Sequence, residues 1–403
     1  MTHILIIYEA VEPGNIETRR VFNLLESKDF LVSRGLVASQ VKKEDLIWCD
    51  VLLLVRSTSS IERDLAIIAE KMSKFVVLSI DDDFLSLGSD YGADGSGYWH
   101  SRHICLKTIL HHIDCLLTVN KLLAEKYIVH CNTHRYVVTN TIVEEKEIFP
   151  TTKDWKQKEK VKLALYVNDG SQELFNEIIK PALRLLSPKY KNRMSLYLMA
   201  LHPDMAEFED SFDVHFVPHM PYKEFKKYLG TDGFDIGLAP LNDTGFSKYK
   251  YFNKYIEYTL AGIPAIYSDC PLYRLVIQDG FNGVFTDNSA EGWCNAINLM
   301  IDNADLRKEL IINAQQHLRQ FFKAESILNK LIKDIPEFTN YKAPKADLSF
   351  LRLRFVWIRL VYFRFRAFGW VSTAINMLKH GNLIMLWQRF KKRILKIEWD
   401  ENY

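Results

Sequence analysis

The sequence predicts an α/β protein made of two Rossmann-like domains facing a cleft, followed by a basic, aromatic helical tail. Three observations predict this. Two successive series of short aliphatic runs alternate with helix-like segments, a polar charged stretch separates the two series, and 403 residues at 48% hydrophobic and 25% charged supply two cores of ordinary size.

The first series occupies residues 1–143. HILIIYEA, VLLLVRS, FVVLSID, CLLTVN and HRYVVTNTIV are continuous apolar or β-branched runs of strand length. Such runs belong to parallel strands buried on both faces. Residues 144–160, EEKEIFPTTKDWKQKEK, are polar, charged and carry a proline, which marks an interdomain linker. The second series, over 161–322, contains VKLALYVND, MSLYLMAL, DVHFVPHM, FDIGLAPL and PAIYSD. The segment 304–331 reads as helical and returns towards the first domain, so 323–403 comprises a crossover helix and the tail. Ligands of such sheets sit beyond the carboxyl ends of the strands, and two facing domains enclose a cleft there.

Charge and cysteine content exclude several classes. The net charge is +2, but residues 349–403 hold eleven Lys and Arg against three Asp and Glu, leaving the rest of the chain net acidic. General nucleic-acid affinity of the main domains is therefore not expected. Six cysteines without a CxxC pair read as reduced thiols. The first apolar run is too short for a signal peptide, and no stretch of 18 uncharged apolar residues occurs. The expected location is cytoplasmic.

The segment KYKYFNKYIEYTLAGIP, residues 248–264, carries the strongest chemical signal. On a helix Lys250, Lys254 and Glu257 share one face, while Phe252, Tyr255, Ile256, Thr259 and Leu260 occupy the other. Two ammonium groups near a helix start suit a diphosphate, and a carboxylate one turn on suits a ribose diol. Gly262 and Pro264 stop the helix and allow close approach of backbone to a ligand. Spacing alone favours an ordinary solvated face with ion pairs.

Taken with its surroundings, the stretch FDIGLAPLNDTGFSKYKYFNKYIEYTLAGIPAIYSD, then YRLVIQDGFNGVFTDNSAEGW and LRKELIINAQQHL, resembles the C-terminal domain of the glycosyltransferase family 1 group of GT-B enzymes. The resemblance is close over 161–322 and loose over the N-terminal half. It implies that Glu257 binds the donor's ribose, that Lys250 and Lys254 contact its phosphates, and that Gly170 and Ser171 lie in a loop near them. Gly280 and Gly283 match structural turn glycines. A second glutamate common in retaining members stands eight positions before the ribose-binding one, and here that residue is Tyr249. Retention or inversion therefore stays unassigned.

In the N-terminal half, Asp81, Asp82 and Asp83 follow FVVLSI at a carboxyl strand end. Adjacent carboxylates repel, so at least one raised pKa is expected, and a general base is one reading. A metal-holding DxD and plain capping carboxylates are the others. The lysines already offer positive charge, so metal-independent chemistry is expected. Arg56 ends a strand on the same edge and Gly14 follows the first strand; both are acceptor-side candidates. The segment YWHSRHICLKTILHHIDC is rich in His and Cys without zinc-finger spacing; His100 or His103 is a candidate base.

The tail, 349–397, interleaves Arg and Lys with Phe, Trp, Tyr and Leu. An anionic membrane surface fits this composition, as does packing on protein. The combined expectation is a hexosyl- or deoxyhexosyltransferase using a nucleoside diphosphate sugar, with no other cofactor. Its acceptor would be a glycan or lipid-linked glycan of bacterial surface polysaccharide synthesis, at the inner face of the membrane. A nucleotide-sugar epimerase and a non-catalytic GT-B scaffold are the competing readings.

Overall fold

The structure is a computed structural model that describes residues 1–8, 16–26, 31–87, 96–150, 155, 160–167 and 171–345. Two compact units divide the chain. Of the described residues, the first contains those within Met1–Ile142, Tyr249–Tyr251 and 324–345; the second contains those within Val143–Lys248 and Phe252–Lys323.

In the first unit, β1 (His3–Tyr8), β2 (Val32–Val37), β3 (Val51–Val55), β4 (Phe75–Ile80), β5 (Cys115–Thr118) and β6 (Tyr136–Val138) form a wholly parallel sheet. Their order is β2-β1-β3-β4-β5-β6. Helices α1 (Ile16–Glu26), α2 (Lys43–Trp48), α3 (Ser60–Lys71), α4 (Ser96–His111) and α5 (Lys121–Ile128) connect them. Successive strand residues point to opposite faces, so each buried strand serves two cores. Leu5, Ile7, Leu52, Leu54, Val76 and Leu78 pack with Leu65 of α3 and Ile109 of α4. Ile4, Ile6, Leu53 and Val77 pack with Phe22 and Leu25 of α1 on the other side.

In the second unit, β7 (Val161–Val167), β8 (Met194–Ala200), β9 (Asp213–Val217), β10 (Ile236–Ala239), β11 (Ala265–Ser268) and β12 (Val284–Thr286) are also all parallel. Their order, β12-β11-β10-β7-β8-β9, is that of a Rossmann fold, with the chain reversing direction of winding between β7 and β10. α6 (Gln172–Leu174), a π-helical turn (Phe175–Ile179) and α7 (Lys180–Leu186) follow β7; α8 (Tyr222–Thr231), α9 (Asn253–Leu260), α10 (Ala290–Asp302) and α11 (Ala304–Phe321) complete the unit. Trp293, Ile297 and Met300 of α10 seal one face of the sheet with Leu183 of α7. After α11 the chain rejoins the first unit as α12 (Ala324–Asp334), whose Ile327, Leu328 and Leu331 fill the core beside α1.

All ten expected strands form. The two the sequence pattern missed, β2 and β12, are the edges of their sheets, where burial is partial or the strand is three residues long. The residues that follow the first unit are bonded within the second. Val143 donates to the Phe322 carbonyl at 2.8 Å, Phe149 donates to that of Leu260 at 2.8 Å, and Gln315 donates to the Phe149 carbonyl at 2.9 Å. All of these contacts lie inside the second unit, so the division falls at 142/143. Among the described residues no helix is long and apolar enough to cross a membrane. The tail at 349–397 lies outside the described residues.

Candidate functional site

Sheet order places the first unit's ligand edge where the strands flanking β1 diverge, and the residue after β3 stands at that point. That residue is Arg56, held in the left-handed backbone region at φ 52°, a conformation a non-glycine residue adopts only when its surroundings impose it. The turn aims its guanidinium at the end of β4. There it pairs with Asp81, reaches Asp82 at 3.5 Å and lies 4.7 Å over the Phe84 ring.

The three aspartates therefore have three different environments. Asp81 is buried and paired with Arg56. Asp83 is fully buried and paired with Lys126 of α5, which also donates to Ser86 at 2.8 Å. Asp82 alone keeps a third of its side chain, 34%, open to solvent. Lost hydration on its remaining sides, then the adjacent Asp81 charge, push its carboxyl up to about 7 against the opposing pull of Arg56 and Lys250. An unfolded chain releases that proton near 3.8. Between about pH 4 and 7 the folded form thus binds more protons, and stability falls as pH rises, levelling off above 7. Asp82→Asn should flatten this slope and leave the first unit more stable than wild type at pH 8, as read by hydrogen exchange in β4.

The structure corrects the reading of residues 248–264 as one helix. α9 starts at Asn253, so Lys250 precedes it and does not share a face with Lys254 and Glu257. Tyr249–Tyr251 instead belongs to the first unit. Asn120 donates to the carbonyls of Tyr249 and Lys250 at 3.3 and 3.0 Å, the Tyr251 hydroxyl accepts from the Thr141 amide at 3.1 Å, and the Lys126 ammonium lies 4.3 Å over the Tyr249 ring. Tyr249 thus covers the lysine that neutralises Asp83.

Within the second unit, α9 follows β10 and begins at the carboxyl edge of the sheet. Glu257 is only 8% exposed and accepts from Lys254 at 2.7 Å. The Lys254 ammonium sits 4.2 Å over Tyr166 and 5.2 Å over Phe225. This is not a solvated charge stripe. A carboxylate and an ammonium are held together against aromatic rings, an arrangement that offers a paired acceptor and donor to a polar ligand. Gly262, at φ 72°, ends α9 as expected: Ile263 donates to Tyr258 at 2.8 Å and Gly262 to Thr259 at 3.1 Å, the double bond of a Schellman stop.

The remaining candidates separate. Ser171 heads α6 at the carboxyl end of β7. Gly14 and Gly170 lie outside the described residues. On α4, His103 bonds the Phe84 carbonyl at 2.9 Å, whereas His100 is exposed and makes none of the contacts that hold the Arg56–aspartate cluster together. Among the described residues no three His, Cys, Asp or Glu side chains are grouped to hold a metal ion. Sequence reasoning missed Asn120, Lys126, Tyr166 and Phe225. Only Asn120 left a trace, as an N-cap residue ahead of the KLLAEKYI helix.

Solved structures with this architecture are numerous. HepE of Anabaena in complex with UDP-glucose superposes with a TM-score of 0.54 at 12% identity, covering 84% of this chain and all of that one. Sucrose-phosphate synthase from Thermosynechococcus elongatus gives 0.54 at 12% over 83% and 98%. The fold is GT-B. A third GT-B structure, the lipopolysaccharide outer core galactosyltransferase WaaB, gives 0.50 at 13% over 83% and 100%. No protein-family model and no curated protein sequence matches the chain.

Proposed function

We propose that this protein is a glycosyltransferase that moves a hexosyl or deoxyhexosyl group from a nucleoside diphosphate sugar to a hydroxyl of a glycan or lipid-linked acceptor in bacterial surface polysaccharide synthesis. The observation that carries the reading is the buried Glu257 paired with the half-buried Lys254 on α9, at the ligand edge of a sheet with Rossmann order. Glu257 would accept hydrogen bonds from the donor's ribose diol, and Lys254 would offset charge developing on the departing diphosphate. Asp82, the one solvent-accessible carboxylate of its cluster, would take the acceptor hydroxyl's proton. HepE, of the same fold, binds UDP and UDP-glucose, which supports a nucleotide-sugar donor. Lysine supplies the positive charge, so transfer in the presence of EDTA is part of the proposal.

The test is calorimetric titration with uridine, guanosine and thymidine diphosphates. One base should bind preferentially to wild type, and Glu257→Ala should weaken it by about 10- to 100-fold, the worth of one charged hydrogen bond. Equal affinity for all three nucleotides in both proteins would sink the reading.

A further inference from the structure

One directed chain of hydrogen bonds crosses the second unit and ends on His317 of α11. The Gln278 amide donates to Oδ1 of Asn282, in the turn before β12, at 2.8 Å, which fixes the orientation of that carboxamide. Its Nδ2 therefore donates, to the Val276 carbonyl at 3.0 Å and to the hydroxyl of Tyr255 on α9 at 3.1 Å. Tyr255 is fully buried, and its oxygen lies 2.8 Å from Nδ1 of His317. Asn282 already uses a lone pair of that oxygen, so the hydroxyl proton goes to the one acceptor beside it among the described residues, the histidine nitrogen. His317 is then neutral, with Nδ1 bare and its proton on Nε2. A protonated ring would turn a second donor on the same oxygen and leave the tyrosine proton in the core without an acceptor.

We propose that His317 is a positioning residue of the donor site: as the neutral, Nε2-protonated ring it takes the Tyr255 proton and holds α9, and with it Lys254 and Glu257, against α11. The proposal rests on the reading of that pair as the donor contact. Tyr255 stands between the two in sequence, one residue after Lys254 and two before Glu257. The Tyr258 hydroxyl ties α9 to the sheet through the Ala164 and Leu238 carbonyls, and Gln315 of α11 ties its last turn through that of Thr259. The His317 bond is the corresponding tie of the first turn. Phe321 and Phe322 flank the imidazole at 5.1 and 5.7 Å. The titratable groups on that side are Tyr255 and, behind it on β11, Tyr267, and burial keeps both hydroxyls protonated. Arg319, two residues on, is engaged with Glu145. Among the described residues no carboxylate favours the charged ring, and lost hydration holds its pKa below the usual 6.5.

In the full chain labelled with ¹⁵N-histidine, His317 should show a bare Nδ1 and a protonated Nε2 at pH 8. His317→Leu removes the acceptor, whereas His317→Asn keeps one near the place of Nδ1. Affinity for the nucleoside diphosphate that wild type prefers should fall about 3- to 10-fold in His317→Leu, the worth of one neutral hydrogen bond, with donor KM raised to match and acceptor KM unchanged. His317→Asn should recover it, Tyr255→Phe should lose as much, and adding His317→Leu to Tyr255→Phe should cost nothing further. Below pH 6.5 an opened chain takes up the proton that folded His317 refuses, so α9 amides should lose exchange protection more steeply in wild type than in His317→Asn. A proton on Nδ1, wild-type affinity in His317→Leu, additive losses in the double variant or equal pH dependence of protection would overturn the proposal. If wild type binds no diphosphate, the donor reading falls and the Glu257 carboxyl resonance decides the positioning: displacement in His317→Leu with recovery in His317→Asn upholds it, and no displacement overturns it. Should His317→Leu fail to fold, Tyr255→Phe must produce the same loss or the proposal is wrong.

Discussion

Asp82→Asn is expected to lower the rate of sugar transfer by about 10²- to 10⁴-fold, the usual contribution of a positioned general base, while nucleotide affinity stays at the wild-type value. The split between rate and binding follows from where the residue stands. Asp82 is in the first unit, at the end of β4, and the proposed ribose and phosphate contacts are on α9 of the second. Its neighbours do not substitute for it, because Asp81 is committed to Arg56 and Asp83 to Lys126. With its carboxyl lifted to about 7, the wild-type protein should gain transfer activity, on the proposed reading, as pH rises through that value, and Asp82→Asn should lose that limb. Transfer rates across pH 5–9, set beside calorimetric nucleotide affinities, check both halves. An Asp82→Asn protein with wild-type kcat would remove the residue from the chemistry.

Lys126→Met should destabilise the first unit by about 3–5 kcal/mol, the cost of leaving a buried charge without its partner. Asp83 has no exposure, and its Oδ1 makes no hydrogen bond, so the carboxylate depends on Lys126 through its other oxygen. The same lysine packs on Tyr249, and its loss should also loosen that segment. The measurement is hydrogen exchange in β4 and α5, which reports the local unit in a chain too large for a single two-state transition. Protection equal to wild type in both elements would show that the pair contributes nothing. The contrast with Asp82→Asn is informative: that substitution is expected to slow transfer and stabilise the first unit above pH 7, whereas loss of the partner of the adjacent Asp83 is expected to destabilise it.

The strands were legible because parallel strands buried on both faces leave unbroken aliphatic runs, as VLLLV and FVVLSI do. The edge strand VSRGLV left no such run: it pairs with one neighbour and is only partly buried, and polar residues cost little there. The helix stop at Gly262 was equally legible, since a left-handed residue after a helix is a local requirement that glycine meets at no steric cost.

The site was legible only in part. Lys254 and Glu257 lie within one turn of one helix, so local geometry brings them together and spacing reveals it. Lys250 lies at the same spacing on paper, but the helix begins three residues later, and long-range bonds to Asn120 and Thr141 draw its segment elsewhere. Three consecutive aspartates looked alike in one dimension. The side chains that reach them from Arg56 and Lys126 made one buried anion a structural anchor, tied a second to arginine and left the third raised and accessible. The sequence by itself determined the two doubly wound sheets, their order along the chain and the α9 pair, because periodicity and local spacing encode these. Which aspartate is free to exchange a proton, and which unit Lys250 serves, only the tertiary structure decided, since both depend on contacts between residues far apart in the chain.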